Sequence, residues 1–151
     1  MKPNEVKITV PSSLENLSLI RAMVKTYLEL HQVSQRDVFQ LLSVVDELST
    51  NVVEHGYEYK PGDIILEIQK SNDIIRLVVE DNGVGFDVKE LEKKEQKADK
   101  KHTHIGLVNT QQMLRTVYGE EATMEIQSEI DAGTCVTICL PLEKEVPLCG
   151  E

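Results

Sequence analysis

The sequence predicts an α/β two-layer sandwich, one mixed and mainly antiparallel sheet covered on one face by helices. Two observations predict it. Apolar residues alternate in residues 63–69, 74–81, 122–128 and 134–140, and recur every three or four residues in 14–30, 38–52 and 105–118. Alternation marks a half-buried strand, and the longer period marks an amphipathic helix. The resulting order, β-α-α-β-β-insertion-α-β-β, puts strands in one layer and helices in the other. With no Trp, two Phe and four Tyr in 151 residues, the core between those layers must be aliphatic. A chain of this length suits one domain with a sizeable core.

Residues 6–10 read as a short strand that Pro11 ends. Ser12 with Glu15 three residues on predicts a capping box. Leu14, Leu17, Ile20, Val24 and Leu28 then mark a helix to about residue 30. Ser34 with Asp37 opens a second helix in the same way. Its buried stripe is Val38, Leu41, Val45, Leu48 and Val52, and Gly56 stops it. Ile64, Leu66 and Ile68 share one face of the next strand, and Ser71-Asn72-Asp73 turns the chain into its hairpin partner. There Ile75, Leu77, Val79 and Asp81 share a face, so Asp81 points inward and needs a partner. Residues 87–104 have almost no apolar periodicity and many charges, as a functional lid or a disordered insertion does. A third helix, from Ile105-Gly106 to Tyr118-Gly119, and a final hairpin turning at Asp131-Ala132-Gly133 complete the domain. It is expected to span residues 1–142, with the lid at 87–104 and a weakly ordered tail at 143–151.

The formal charge of −10 argues against a nucleic-acid partner, which needs clustered Lys and Arg, but is compatible with a nucleotide in a local pocket. Cys135, Cys139 and Cys149 form no paired framework and no CxxC, which points to a reducing compartment. Cys135 and Cys139, four apart in a strand, read as small packing residues, and Cys149 lies in the tail. Neither a signal-peptide core nor an apolar run of the ~20 residues a membrane span requires is present. A soluble cytoplasmic protein is expected.

Three stretches carry candidate chemistry. Glu47, Asn51 and His55 lie at four-residue steps, one polar stripe on a helix whose other face is buried. Asn is a poor helix former, and its amide oxygen suits Mg²⁺, which leans on substrate phosphates for its other ligands. A carboxylate one turn away can orient or deprotonate a nucleophile. Asp81-Asn82-Gly83-Val84-Gly85 follows a strand; taken alone it is equally a plain strand-ending turn, but an inward carboxylate can accept a hydrogen bond from an exocyclic amine such as that of adenine. Thr103-His104-Ile105-Gly106-Leu107 opens a helix, whose free N–H groups favour phosphate, with Lys97, Lys100 and Lys101 just before it.

These residues bring a family into view. Glu47 to Asn51 with His55-Gly56 resembles the N box of the Bergerat-type ATPase and kinase superfamily, which includes histidine kinases, gyrase, heat-shock chaperone ATPases and mismatch-repair ATPases. Asp81 to Gly85 resembles its first glycine box, Ile105-Gly106-Leu107 part of its second, and Gly133-Thr134 its Gly-Thr pair. The resemblance runs along residues 5–142. It implies the Bergerat ATP-binding fold, ATP and Mg²⁺, and these roles: Asp81 takes the adenine amino group, assisted by Thr134 through water; Asn51 ligates Mg²⁺; Glu47 orients or deprotonates the attacking hydroxyl. Gly83 and Gly85 give close approach, and His104, Ile105, Gly106 and Leu107 meet the phosphates. One position departs from the pattern. His104 stands where the second box, Gly-x-Gly-Leu, usually has its first glycine.

Within the superfamily the first half is similar to the small bacterial anti-sigma-factor serine/threonine kinases, and the second half to the ATP-binding domain of sensor histidine kinases. The short, free-standing length favours the former. That branch implies a kinase that binds a sigma factor, phosphorylates an anti-sigma-factor antagonist and forms a homodimer. The alternatives are a nucleotide-gated binding module without phosphoryl transfer and a detached histidine-kinase catalytic domain.

Overall fold

The computed structural model describes residues 4–91 and 105–142. Five strands, β1 (Val6–Pro11), β2 (Asp63–Ser71), β3 (Ile74–Asp81), β4 (Thr123–Glu129) and β5 (Gly133–Pro141), form one sheet in the order β1-β2-β3-β5-β4. Every neighbouring pair is antiparallel. The parallel pair that a mixed sheet would contain is therefore absent among the described residues. Short turns make β2–β3 and β4–β5 antiparallel hairpins, and β1 and β5, which reach their neighbours β2 and β3 through longer connections, also run antiparallel to them. Asn72, with φ of 53°, supplies the left-handed residue in the first turn and Asp131, at 65°, in the second.

Three helices, α1 (Leu17–Leu30), α2 (Gln35–Asn51) and α3 (Ile105–Tyr118), cover one face. The period-two pattern points Ile64, Leu66 and Ile68 of β2, Ile75, Leu77 and Val79 of β3, and Val136, Ile138 and Leu140 of β5 toward them, all buried. Ile20, Val24 and Leu28 of α1, Leu41, Val45 and Leu48 of α2, and Leu107 and Leu114 of α3 complete a single core. The opposite face of the sheet carries ion pairs such as Lys7–Glu67 at 3.3 Å and Arg76–Glu67 at 3.7 Å. Cys135 and Cys139 lie half-buried on that face rather than in the core, both as free thiols, because strand parity turns them away from Thr134 and Val136. No helix of the described residues is long and apolar enough to cross a membrane.

Helix α2 is the central element. Ser34 caps it, its Oγ accepting the Asp37 N–H at 3.2 Å. Asp37 is fully buried and accepts the Tyr118 hydroxyl at 2.7 Å, while the Arg36 guanidinium sits 5.6 Å from the centre of the Tyr118 ring. The start of α2 is thus fastened to the end of α3. At 1.5 Å per residue, Glu47 lies about 15 Å along α2 from Asp37, and Gly106 about 18 Å along α3 from Tyr118. The antiparallel fastening consequently brings the start of α3 to the end of α2.

Two local expectations differ from the structure. The capping box at Ser12 does not form: the chain enters α1 through a 3₁₀ turn, Leu14–Asn16, behind Ser13, and Ser12 Oγ is buried with no partner. Helix α2 does not stop at Gly56 as an α-helix but widens into a π turn over Val52–Gly56. The expected lid lies outside the described residues beyond Leu91 and before Ile105, as do the tail at 143–151 and Cys149. The two serines separate a formed cap from an unformed one. Urea denaturation should find Ser34→Ala destabilised by about 1 kcal/mol, and Ser12→Ala unchanged or slightly more stable because it removes an unsatisfied buried hydroxyl.

Candidate functional site

The site is built where α2 ends. Glu47 is exposed one turn before Asn51, which is half-buried. Beyond Asn51 the ladder changes: the Tyr57 N–H reaches the Val52 carbonyl at 2.9 Å, a five-residue step. Such π turns are wider than α and are frequent at functional sites. His55 consequently leaves the four-residue stripe; it lies 3.8 Å from Glu54, half-exposed. The turn delivers the Gly56 backbone against Asp81, where an added Cβ would stand 3.2 Å from Asp81 Oδ2.

Asp81 is 3% exposed, on the inward face of the last residue of β3, opposite Thr134 of β5. Its Oδ1 accepts the Gly83 N–H at 2.8 Å. Burial pushes its pKa up; backbone hydrogen bonds from Gly83 and Thr134 pull the other way without cancelling that rise, and the Glu80 charge adds to it. The glycines after it answer to close contacts. A Cβ on Gly83 would meet the Gly56 carbonyl oxygen at 2.0 Å, and Val84 N donates to that same oxygen at 2.8 Å. Gly85 has φ of 62°, and a Cβ there would lie 1.9 Å from the Glu129 carbonyl oxygen. No other residue fits either place.

A second polar group faces Asp81 from the β4–β5 hairpin. Ser128 Oγ lies 2.8 Å from Thr134 Oγ1, accepts the Phe86 N–H at 2.9 Å and lies 3.1 Å from the Gly133 carbonyl. A cleft of about 230 Å³ opens at the ends of β3, β4 and β5. Besides Asp81, Ser128 and Thr134 it is lined by Glu80, Gln127 and Cys135, which strand parity puts on the sheet face away from the helices, so it is distinct from the space between Asp81 and the end of α2. From the other side α3 begins at Ile105, and a Cβ on Gly106 would stand 2.7 Å from Glu47 Oε2. Leu107 puts its side chain in the core, leaving its backbone alone to face a ligand. Among the described residues no three His, Cys, Asp or Glu side chains gather as a metal-ligand group. A divalent cation here would rest on Asn51 and on a ligand's own oxygens.

The structure therefore brings Glu47, Asn51, Asp81, Gly83, Gly85, Gly106 and Thr134 to one end of the sandwich. His104 lies outside the described residues. Sequence reasoning missed Tyr57 and Ser128. Tyr57 follows a helix stop and Ser128 sits in an ordinary alternating strand, so neither carries a local signal; strand parity, which puts Ser128 on the face of Ile126, was the one clue to it.

Residues 10–140 match the family model of the histidine kinase-like ATPase domain, and the chain belongs to that family. Among curated relatives, it is 26% identical over 90 residues to a serine-protein kinase RsbW of Bacillus cereus, covering 60% of this chain and 56% of the relative. It is 31% identical over 87 residues to the anti-sigma F factor of Clostridium kluyveri, covering 58% and 61%. The chain thus spans less than two thirds of the length of these relatives. Of solved structures, the RsbU and RsbW domains of Rv1364c from Mycobacterium tuberculosis superpose with a TM-score of 0.64 at 18% identity, covering 93% of this chain and 33% of that one. The catalytic domain of the histidine kinase ThkA gives 0.53 at 14% identity, covering 93% and 96%. At those identities the two structures establish the fold.

The raised pKa of Asp81 has a consequence for stability. The unfolded chain loses this proton near the ordinary value of about 3.9, and the folded chain loses it at higher pH. Asp81 therefore contributes most below the ordinary value, and its contribution falls as pH rises toward the folded value. Asp81→Asn keeps an acceptor for the Gly83 N–H and removes the buried charge. Urea midpoints should show the variant gaining on the wild type between pH 4 and pH 7.

Proposed function

We propose that this chain is an Mg·ATP-dependent serine/threonine protein kinase of the anti-sigma-factor type, which binds a sigma factor and phosphorylates a serine on an anti-sigma-factor antagonist. One observation carries the reading. The Gly56–Asp81 contact sets a buried acceptor, Asp81 with Thr134 opposite it, against the end of the helix that presents Glu47 and Asn51. Membership of the histidine kinase-like ATPase family supports ATP as the nucleotide, and the names of the relatives, a serine-protein kinase and an anti-sigma F factor, support the reaction and the partners.

In this reading Asp81 accepts from the adenine amino group, with Thr134 acting through a water. Asn51 fits the metal: it is half-buried inside a helix, where a bare amide has poor propensity and needs a reason to stay. Mg²⁺ bound there supplies charge neutralisation at the phosphates. The N-terminus of α3 at Ile105 and Gly106 adds backbone N–H groups on the same side. Glu47 takes the proton of the incoming serine hydroxyl as the serine oxygen forms a bond to the γ-phosphorus and the bond to the bridging oxygen of ADP breaks. Its exposure suits a hydroxyl that arrives on another protein.

Two measurements test this. ADP titration by calorimetry should show Asp81→Asn weakened about 10- to 100-fold, the worth of a hydrogen bond to a charged group; equal affinity would move the adenine site elsewhere. Incubation with labelled ATP, Mg²⁺ and a cognate antagonist should yield acid-stable phosphoserine, reduced about 100-fold or more in Glu47→Ala. No phosphoserine, or undiminished turnover by Glu47→Ala, contradicts the kinase.

A further inference from the structure

We propose that Tyr57 is a positioning residue of the nucleotide site, its hydroxyl setting the turn that aims the Asp81 carboxylate. The inference rests on the reading of Asp81 as the adenine acceptor. The Tyr57 hydroxyl has two partners. It donates to the Asp63 carbonyl at 2.7 Å and accepts the Asn82 N–H at 2.9 Å. Because a phenol has a single proton, the Asp63 carbonyl takes it, and the oxygen lone pairs are left for Asn82. The polarity of the bridge is thereby fixed.

The ring is held as firmly as the hydroxyl. It passes over Gly62 so closely that a Cβ there would lie 2.2 Å from a ring carbon. Behind it, the Tyr57 N–H closes the π turn on Val52. One residue therefore joins the end of α2, the start of β2 and the residue after Asp81.

The three amides following Asp81 are each engaged. Asn82 N–H goes to Tyr57, Gly83 N–H to Asp81 itself and Val84 N–H to the Gly56 carbonyl. Of the three acceptors, only the Tyr57 hydroxyl can be removed without touching the loop, the carboxylate or the helix backbone. Without it the Asn82 peptide can rotate about the Asp81 Cα–C bond, which displaces the next amide, the Gly83 N–H that holds Asp81 Oδ1 at 2.8 Å, and so loosens the aim of the carboxylate. Asn82 is exposed, so water can satisfy its N–H and the fold survives.

Tyr57→Phe keeps the ring over Gly62 and deletes the bridge. ADP affinity is measured by calorimetry on the wild type, Tyr57→Phe, Asp81→Asn and the double variant, with urea midpoints for all four. Tyr57→Phe should weaken ADP about three- to tenfold in the wild-type background, the range of one neutral hydrogen bond. It should have no further effect beside Asp81→Asn, where no carboxylate remains to be aimed. A purely structural tyrosine would lower the midpoint and leave the affinity of the folded protein alone. No weakening in the wild-type background, or equal weakening in both backgrounds, overturns the proposal while Asp81 keeps its role. An Asp81→Asn protein that binds ADP like the wild type overturns both.

Discussion

Everything at the functional end of this fold depends on one buried carboxylate that the protein accommodates instead of expelling. Asp81 lies on the core face of a strand otherwise made of Ile75, Leu77 and Val79, and burial raises its pKa. An apolar residue there would be the simpler choice for stability, since removing a carboxylate from water is costly unless its oxygens are satisfied. The surroundings answer that cost with backbone donors from Gly83 and Thr134. Acceptor capacity is left over, and the close approach of the Gly56 backbone brings the end of α2 to it.

The rest of the architecture is a way of keeping two helix ends at that carboxylate. Helix α2 reaches it through the π turn, whose extra residue per turn lets Gly56 and Tyr57 meet a strand end that a continuing α-helix would pass by. Helix α3 is tied far from the site, where Tyr118 meets buried Asp37 and Arg36, and its length carries Gly106 to Glu47. The sheet completes the arrangement: pairing of Asp81 with Thr134 in the β3–β5 register sets the hydroxyl of one strand beside the carboxylate of the other. Long-range packing thus fixes the distances, and short loops supply the polar groups.

How far the sequence revealed this depended on the kind of signal. Strands β2, β3 and β5 were legible because the inward positions recur at every second residue, even where Ile65 and Val78 interrupt strict alternation, and the inward direction of Asp81 followed from parity alone. Ser34 was legible as a cap because Asp37 stands three residues on. The same spacing at Ser12 and Glu15 misled, since a 3₁₀ turn intervenes and Ser13 takes the capping position. The π turn was invisible: Glu47, Asn51 and His55 keep perfect four-residue spacing, yet the backbone leaves that period at Val52. For the same reason Tyr57 had no visible role, because its partners at Asp63 and Asn82 are brought to it only by the sheet. Gly83 and Gly85 were expected to give a ligand room. Much of their necessity is internal, set by the carbonyls of Gly56 and Glu129.

The central claim is that nucleotide binds between the end of α2 and the loop after β3, against the β4–β5 hairpin. Hydrogen exchange of the wild-type protein with and without ADP and Mg²⁺ tests it most directly. Binding should slow exchange together in residues 51–57, 81–85 and 133–135, and leave the edge strand β1 unchanged. ADP binding that leaves residues 81–85 exchanging at their unliganded rate would contradict the account.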